Sequence, residues 1–335
     1  MSFTPVRIGL IGAGRIGASH ASVIARRVPE AQLVAVADPR PGVAADLAEP
    51  LGARGETSPE AIFAADDVDA VVIAASSTAH AELIVAAADA GKHVFSEKPA
   101  GMSLAEIEQG ITATAKAGVA FQVGFNRRFA ADFRAAHDAI AAGRIGTVRQ
   151  LRSVTRDPGS GPADPDVVPP WTIFTQTLIH DFDTLNWLNP GARAVDVVAT
   201  ADSLTAPGHP TLLDHANVVI RFDNGAIATA EASFAAAYGY DVRGEVLGSA
   251  GMVTAGEGAT SSMRLHDASG RLAATAHGDV ELMIDAYTAE FAEFAAAILE
   301  GRTPSVTGDA ARAAFAIAQA CIESYQSGTR AKVQG

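Results

Sequence analysis

The sequence has little cysteine, an excess of acidic over basic residues and no long apolar run, and each feature excludes a class of protein. Cys321 is the only cysteine among 335 residues, so no intrachain disulfide can form. Lys and Arg number 25 against 38 Asp and Glu, and a formal charge of −13 repels the phosphates of nucleic acids. No apolar run reaches the roughly 20 residues that span a bilayer. The N-terminus has no signal-peptide pattern. We therefore expect a cytoplasmic protein without nucleic-acid or membrane partners.

Motifs of several other chemistries are also missing. The sequence has no HExxH or CxxC pattern and no close histidine pair, which are common signs of a metal site. It also lacks the Walker A pattern of P-loop proteins and the GxSxG pattern of serine hydrolases. We therefore predict no metal site.

Short apolar runs alternate with amphipathic stretches through the first 125 residues. The runs that we interpret as strands are Val6–Ile11, Leu33–Ala37, Ala70–Ala75, His93–Ser96 and Ala120–Phe125. The stretches that we interpret as helices are 15–27, 42–53, 79–90 and 103–117, and Ser103 with Glu106 predicts a capping box at the last of them. Apolar strands alternating with helices are typical of a parallel sheet covered by helices on both faces.

The pattern changes after Asn126, where strands follow one another directly. We predict helices at 129–142, 172–188, 280–300 and 308–327, and a loop rich in Pro, Gly and Asp at 157–170. Strands are predicted at 148–156, 194–200, 216–223, 226–234, 242–249 and 262–266. Asn224-Gly225 predicts a hairpin, and 267–270 a second turn. Successive hairpins indicate mainly antiparallel pairing.

These patterns predict an α/β protein with two domains, which 335 residues with 48% hydrophobic content can support. Residues 1–125 form a dinucleotide-binding domain of the Rossmann type. Residues 126–335 form an α+β domain on an open, mainly antiparallel sheet, and the last helix, 308–327, is a candidate to pack back on the first domain. An open sheet with an apolar face needs a partner, so we expect a homodimer or homotetramer.

A glycine motif, Gly12-Ala13-Gly14-Arg15-Ile16-Gly17, joins the first strand to the first helix. Alone, GxGxxG is weak evidence, but this context is the one that dinucleotide binding requires. Gly12 permits a tight turn, Gly14 a close approach to the pyrophosphate and Gly17 close packing of helix on strand. The N-terminus of the helix then receives the phosphates.

Residues that follow the next strands complete the predicted cofactor site. Asp38 ends the second strand, 21 residues after Gly17, where a carboxylate can accept both hydroxyls of the adenosine ribose. That charge repels a 2′-phosphate and favours NAD, although Arg40 can offset it and admit NADP. Ser76 and His80 follow the third strand on the cofactor side, where a serine is also an ordinary turn residue.

The fourth strand leads directly into Glu97-Lys98-Pro99. A lysine at the carboxyl end of a parallel strand points towards the cofactor crevice. Its positive charge stabilises the alkoxide-like transition state of hydride transfer. Pro99 restricts the backbone beside it. Taken alone, however, a lysine after a strand is usually a solvated surface residue.

The chain resembles the Gfo/Idh/MocA family of oxidoreductases over nearly its whole length. Besides Glu97-Lys98-Pro99, the matching motifs are Gly-Phe-Asn-Arg-Arg-Phe at 124–129, Thr-Arg-Asp-Pro at 155–158, Thr-Leu-Ile-His-Asp-Phe-Asp at 177–183 and Tyr-Gly-Tyr-Asp with Arg243 and Glu245 at 238–245. Together they are most similar to the inositol dehydrogenases of the family. The resemblance implies a nicotinamide cofactor, with Glu97 beside it, and a polyol or sugar substrate.

The resemblance also implies a catalytic set. In the inositol dehydrogenases an Asp-x-x-x-His motif on one helix joins the lysine, and its histidine corresponds to His180. A histidine with the ordinary pKa of about 6.5 suits a base that accepts the hydroxyl proton. The aspartate is replaced here by Gln176, which holds no charge. The substrate then differs from inositol, or Lys98 and His180 suffice alone, or activity has been lost.

Four further residues correspond to substrate contacts by their positions in the matching motifs: Arg127, Asp157, Asp183 and Tyr240. A salt bridge or a loop cap explains each of them about equally well. The resemblance favours NAD(P)-dependent oxidation of a secondary hydroxyl on a cyclitol or sugar. Alternatives are another sugar-like substrate, such as an anhydrosugar or aldose, and a catalytically silent NAD(P)-binding sensor.

Overall fold

The computed structural model describes residues 4–159, 168–205, 207–209, 211–256, 263–268 and 270–334. The chain divides into two compact units. Unit 1 comprises Met1–Phe129 and Ile284–Arg312, and unit 2 comprises Ala130–Met283 and Ala313–Gly335. Part of the predicted loop 157–170 and the first residue of the predicted strand 262–266 lie outside the described residues.

Unit 1 is built on a six-stranded parallel sheet. Its strands are β1 (Val6–Ile11), β2 (Ala31–Ala37), β3 (Arg54–Glu56), β4 (Ala70–Ile73), β5 (His93–Ser96) and β6 (Phe121–Val123). The order β3-β2-β1-β4-β5-β6 places β1 and β4 at the centre, and all neighbours pair in parallel. The predicted parallel sheet is thus confirmed. Because β2 and β3 lie on one side of β1 and β4, β5 and β6 on the other, the strand order reverses between β1 and β4. Ligands bind at this point in such sheets.

Helices connect these strands. They are α1 (Arg15–Arg27), α2 (Val43–Ala48), α3 (Pro59–Phe63), α4 (His80–Asp89) and α5 (Leu104–Ala117). The backbone N–H of Glu106 donates to Ser103 Oγ (3.2 Å), as the capping box predicts. The carboxylate of Glu106 accepts from Met102 N at 2.6 Å, one residue earlier than in the usual box.

Unit 2 is built on a seven-stranded mixed sheet. Its strands are β7 (Val148–Arg156), β8 (Ala194–Asp202), β9 (His215–Phe222), β10 (Ile227–Ser233), β11 (Asp241–Gly248), β12 (Met252–Ala255) and β15 (Ala331–Lys332). The order is β12-β11-β7-β10-β9-β8-β15, and only the β7–β10 pair is parallel. A separate hairpin joins β13 (Leu265–Asp267) to β14 (Gly270–Leu272). The mainly antiparallel sheet and the hairpin at Asn224-Gly225 are as predicted.

The helix predicted at 172–188 has an unexpected start. Residues Ile173–Thr177 form a single π-helical turn, and α7 (Leu178–Trp187) follows it. Trp171, just before this turn, adopts a φ of +63°, a left-handed conformation that is rare for a bulky residue. Helix α6 (Ala131–Ala141) precedes β7 in the chain.

The two closing helices contribute residues to both units. They are α8 (Asp279–Glu300) and α9 (Gly308–Ser327), and unit 1 takes residues 284–312. The ring of Phe95 in β5 lies 4.7 Å from that of Phe291 and 5.8 Å from that of Phe294, so α8 supplies part of the core of unit 1. Residues 313–327 of the last helix belong instead to unit 2, where Ala199 N donates to Ser324 Oγ (3.0 Å). Within the described residues, no helix is long and apolar enough to cross a membrane.

Candidate active site

The glycine turn between β1 and α1 leaves room where a phosphate is expected. Gly12 has a φ of +99°, and a Cβ added to Gly17 would lie 1.8 Å from the Gly12 carbonyl oxygen, so both positions require glycine. A Cβ at Gly14 would meet no atom within 4 Å, so the space beside it is open. Helix α1 starts at Arg15 and Ile16, with no acidic residue in its first turn. The helix N-terminus therefore offers a positive end to an anion.

Asp38 lies where the predicted ribose site requires a carboxylate. It follows β2, it is buried, and Oδ2 accepts from Ala13 N (2.9 Å) in the glycine turn. The exposed Arg40 guanidinium donates to both carboxylate oxygens at 2.8 Å. These bonds outweigh partial burial and hold the pKa of Asp38 well below its usual range. Asp38 is therefore a fixed negative charge beside the glycine turn.

Two predicted cofactor residues follow β4. Ser76 is exposed, and its Oγ lies 3.3 Å from Thr78 Oγ1. His80 is buried, with Nδ1 2.8 Å from Pro99 O and Nε2 3.1 Å from Ala75 O. Burial lowers the pKa of this histidine, although the two carbonyls oppose that shift. His80 therefore lies between the loops that follow β4 and β5, and its contact with the cofactor stays a prediction.

Glu97 and Lys98 follow β5 on the same edge of the sheet. Lys98 is half-buried, and its backbone N donates to Glu97 Oε2 (3.1 Å). Glu97 Oε1 lies 2.7 Å from Nε2 of His20, which is fully buried. Burial raises the pKa of Glu97, but the bond with His20 and nearby charges outweigh it, so the pKa is lowered overall. Glu97 therefore joins the buried His20 to the backbone of Lys98, and its cofactor role stays a prediction.

Arg127 occupies the 3-10 turn Asn126–Phe129 that follows β6, and it is buried. Lys98 and the predicted cofactor-binding residues therefore all lie at one edge of the sheet, either directly after a parallel strand or at the start of a helix. This is the edge at which open α/β sheets bind ligands.

The predicted residues of unit 2 lie on α7 and at one end of its sheet. Gln176 is in the π turn and His180 in the first turn of α7, and both are half-buried. The sequence predicted that these two residues, four positions apart, lie on one regular α-helix. In the structure the π turn interrupts that helix between them. Asp183 in the same helix is buried.

Asp181, which the sequence analysis did not select, fixes α7 on the sheet. It is fully buried and accepts from Ser153 Oγ (2.5 Å) and Thr155 Oγ1 (2.6 Å) of β7. Hydrogen bonds to both oxygens stabilise a buried carboxylate and hold the helix in one rotation. The adjacent His180 is positioned as a consequence. No local sequence signal distinguishes Asp181, since its partners lie 26 and 28 residues earlier.

Asp157 and Tyr240 flank the paired ends of β7 and β11, where Arg156 faces Asp241. Asp157 N donates to Ser233 O (2.8 Å), and Tyr240 N donates to Ala276 O (2.6 Å). Both predicted contacts therefore lie at one edge of the sheet of unit 2.

The described residues contain no group of three or more His, Cys, Asp or Glu side chains arranged for a metal ion. The donor set of unit 1 suits a dinucleotide, because an open glycine turn, an uncapped helix start and a buried carboxylate follow β1 and β2 in turn.

Comparison with known proteins gives the family. Residues 6–125 match the NAD-binding Rossmann fold of the Gfo/Idh/MocA oxidoreductases, and residues 137–334 match the C-terminal alpha/beta domain of that family. A myo-inositol 2-dehydrogenase of Thermotoga maritima is 34% identical over 333 residues, which cover 98% of this chain and 99% of that protein. An inositol 2-dehydrogenase of Rhizobium meliloti is 37% identical over 322 residues, 95% of this chain and 96% of that protein.

A solved structure agrees over the full length. The crystal structure of scyllo-inositol dehydrogenase from Lactobacillus casei with bound NAD(H) and scyllo-inositol matches with a TM-score of 0.92 at 27% identity, covering 98% of this chain and 99% of that one. The chain belongs to the Gfo/Idh/MocA family of oxidoreductases, and its cofactor is NAD.

Proposed function

We propose that this chain oxidises a secondary hydroxyl of a cyclitol, such as an inositol, to a ketone. The observation that carries the proposal is the placement of Lys98. It follows the parallel strand β5 at the ligand-binding edge, and its backbone N donates to Glu97, in a chain similar over nearly its whole length to inositol dehydrogenases.

Lys98 and His180 have different roles at the substrate oxygen. Bound NAD would supply the acceptor for the hydride that leaves the carbinol carbon. His180 accepts the hydroxyl proton, so the substrate loses a hydride and a proton and becomes a ketone. The Lys98 ammonium donates to the oxygen and stabilises the negative charge that develops on it.

Arg127, Asp157, Asp183 and Tyr240 are proposed contacts to the remaining hydroxyls. A polyol is recognised by many hydrogen bonds, and an analogue that lacks one hydroxyl leaves a buried polar group unpaired. Such a set discriminates between isomers that differ at a single carbon.

Gln176 gives the site a neutral amide where the resemblance predicts a carboxylate. An amide both donates and accepts, whereas a carboxylate only accepts. We assign Gln176 the role of a hydrogen-bonding contact to a substrate hydroxyl. The same substitution is what favours the two alternatives, a different sugar-like substrate and a silent NAD(P)-binding sensor.

NADH formation across a panel of inositol isomers, aldoses and anhydrosugars tests the proposal. Turnover is expected with at least one inositol, and turnover with any substrate eliminates the sensor. Lys98→Ala should lower kcat by about 10²-fold or more with little change in NAD affinity. Lys116→Ala, which removes an exposed lysine of the same unit, is the matched control. Full turnover by Lys98→Ala refutes the role of Lys98.

We also propose that the sheet of unit 2 pairs with a second copy of this chain. Five large apolar side chains, here called the outer face, project from one side of this sheet: Val198, Val219, Ile227, Leu247 and Met252. Strand register places them together, since Val198 pairs with Val219 and Leu247 with Met252. Each is between 41% and 54% exposed. Several large exposed apolar side chains on one face of a sheet are typical of an interaction surface.

Charge on the outer face supports a second copy as the partner. Arg152 and Arg156 both pair with Glu231, at 2.7 and 3.0 Å, and Arg221 pairs with Asp196. Three arginines thus face two carboxylates, so this group is not acidic in a chain whose net charge is −13. Two copies can therefore approach through this face with less repulsion than through an acidic surface.

A further inference from the structure

Three loops at the ligand-binding edge of unit 1 contact one another. The loop after β1 carries Gly12, and a Cβ at Gly12 would lie 2.6 Å from the carbonyl oxygen of Ala74 and from the nitrogen of Ala75. Ala74 N also donates to Ile11 O (2.8 Å). The glycine turn therefore lies directly against the loop that follows β4.

His80 joins that loop to the one that follows β5. Its Nδ1 lies 2.8 Å from Pro99 O, and its Nε2 lies 3.1 Å from Ala75 O. The ring is 1% exposed, so water does not replace either contact readily. A neutral imidazole donates to only one of these carbonyls and a protonated ring to both, and in either form the buried ring lies between the two loops.

Lys98 is therefore held from both sides. On the preceding side, Glu97 accepts from Lys98 N (3.1 Å) and bonds His20 at 2.7 Å. On the following side, the carbonyl of Pro99 meets His80. The ring of His20 is packed against those of Tyr287 and Phe291, at 5.2 and 4.9 Å, so this support is rigid.

We propose that His80 is a positioning residue that sets Lys98 against the cofactor loop. The proposal rests on the proposed role of Lys98 in hydride transfer. Through Ala75 the ring takes its position from the backbone that abuts the glycine turn, and through Pro99 it transmits that position to Lys98. His80 thus fixes the position of Lys98, which stabilises the substrate oxygen, relative to the loop that receives the pyrophosphate.

Variants of His80 should change kcat much more than KM for NAD. Loss of the ring frees the Pro99 carbonyl and lets Lys98 move, and a displacement of about 1 Å can cost about 10²-fold in rate. The Asp38 and glycine contacts to the cofactor do not depend on the ring. We expect His80→Ala to lower kcat at least tenfold while KM for NAD changes less than about threefold. His80→Asn, which retains an N–H, should recover part of kcat.

A second readout follows Lys98 directly. The chain has only four lysines, at positions 92, 98, 116 and 332, so ¹³C-dimethylated protein gives four side-chain NMR signals that single Lys→Arg variants assign. The Lys98 signal should shift or broaden in His80→Ala and return towards its wild-type position in His80→Asn. The signals of Lys116 and Lys332 should not move.

His93→Ala is the matched control. His93 stands at the other end of β5, and its Nδ1 accepts from Ala120 N (2.9 Å), so this variant also removes a histidine hydrogen bond from unit 1. It should leave both kcat and the Lys98 signal unchanged. An unmoved Lys98 signal in the two folded His80 variants overturns the proposal, as does a rise in KM for NAD with kcat intact.

The two proposals fail in distinguishable ways. If Lys98→Ala keeps full turnover, the function assigned to Lys98 is refuted, yet the NMR signal still reports whether His80 holds that residue. If Lys98→Ala is inactive and His80→Ala keeps both kcat and the Lys98 signal, only the positioning role is refuted.

Discussion

At the scale of single residues, Asp38 is assigned two roles, which affect NAD and NADP differently. Its carboxylate accepts from the glycine turn through Ala13 N, and it carries the charge that opposes a 2′-phosphate. Loss of the contact with Ala13 N weakens NAD and NADP alike, whereas loss of the charge removes the repulsion of a 2′-phosphate and therefore favours only NADP.

Asp38→Ala should therefore raise KM for NAD at least about tenfold and KM for NADP much less, because both ribose hydroxyl bonds are lost and the repulsion disappears. Arg40, released from its ion pair, is then available to a phosphate. Initial rates with each cofactor provide the measurement, with Asp46→Ala, an exposed acid of α2, as control. Equal effects on the two cofactors would overturn the ribose assignment.

Individual residues differ in how far the sequence reveals them. Gly12, Gly14, Gly17 and Asp38 were selected because a local motif gives each a task. His20 was not, since its partner Glu97 lies 77 residues away and only the fold joins them. His80 was expected at the cofactor edge, but the sequence does not show that both its nitrogens face carbonyls.

Elements with a strong pattern were predicted to the residue, among them Val6–Ile11, His93–Ser96 and Val148–Arg156. Weak ones were missed. β3 has only three residues, none of them buried, at a sheet edge, and α3 has only five residues, too few to show a period. The parallel pairing of β7 with β10 was also missed, because it joins segments about 80 residues apart.

The local sequence pattern does not predict the π turn at Ile173–Thr177 either. It contains one residue more than an α-helical turn requires, and such turns are frequent at functional sites. We infer that it sets the direction of Gln176 relative to α7.

Deletion of Thr177 tests this inference. The segment should close into regular α-helical hydrogen bonds, so Tm should stay within a few degrees, while Gln176 turns away and kcat/KM falls at least about tenfold. Thr177→Ala is the control that keeps the chain length. A deletion variant with wild-type kcat/KM would show that the π turn is dispensable.

The turn between β8 and β9 depends on one carboxylate. Asp214 accepts from Leu204 N (2.9 Å), from both the N and the Oγ1 of Thr205, and from His215 Nδ1 (2.6 Å). Burial raises the pKa of Asp214, but these bonds outweigh it and lower the pKa to about 2. A carboxyl whose pKa is depressed on folding stabilises the protein above its ordinary pKa, and the contribution is lost as the pH falls towards 2.

Asp214→Asn should therefore reduce the loss of stability between about pH 5 and pH 2. The wild type is expected to lose about 2 kcal/mol more than the variant over this range, a shift of nearly two pKa units. Urea denaturation at several pH values measures it, with Asp66→Asn, an exposed acid, as control. Parallel pH profiles for the wild type and Asp214→Asn would contradict the assignment.

At the scale of the whole molecule, the outer face gives the proposed oligomer a specific surface. Val219→Asp places an unpaired charge at its centre, which costs several kcal/mol in a buried interface. We expect this variant to sediment as a monomer at concentrations where the wild type is a dimer or tetramer. Leu299→Asp, at a side chain of similar exposure on α8, should leave the assembly unchanged. A wild-type mass for Val219→Asp would exclude this face as the interface.

The proposed function assigns both Lys98 and His180 to the same substrate oxygen. A double-mutant cycle on the rate of hydride transfer, measured as single-turnover NADH formation with the preferred inositol, tests it most directly. Lys98→Ala and His180→Ala should each lower the rate by about 10²–10⁴-fold, and the double variant should be hardly slower than the poorer single one, because groups that act as a unit are not additive. Losses that multiply, or a single variant that keeps the full rate, would contradict the account.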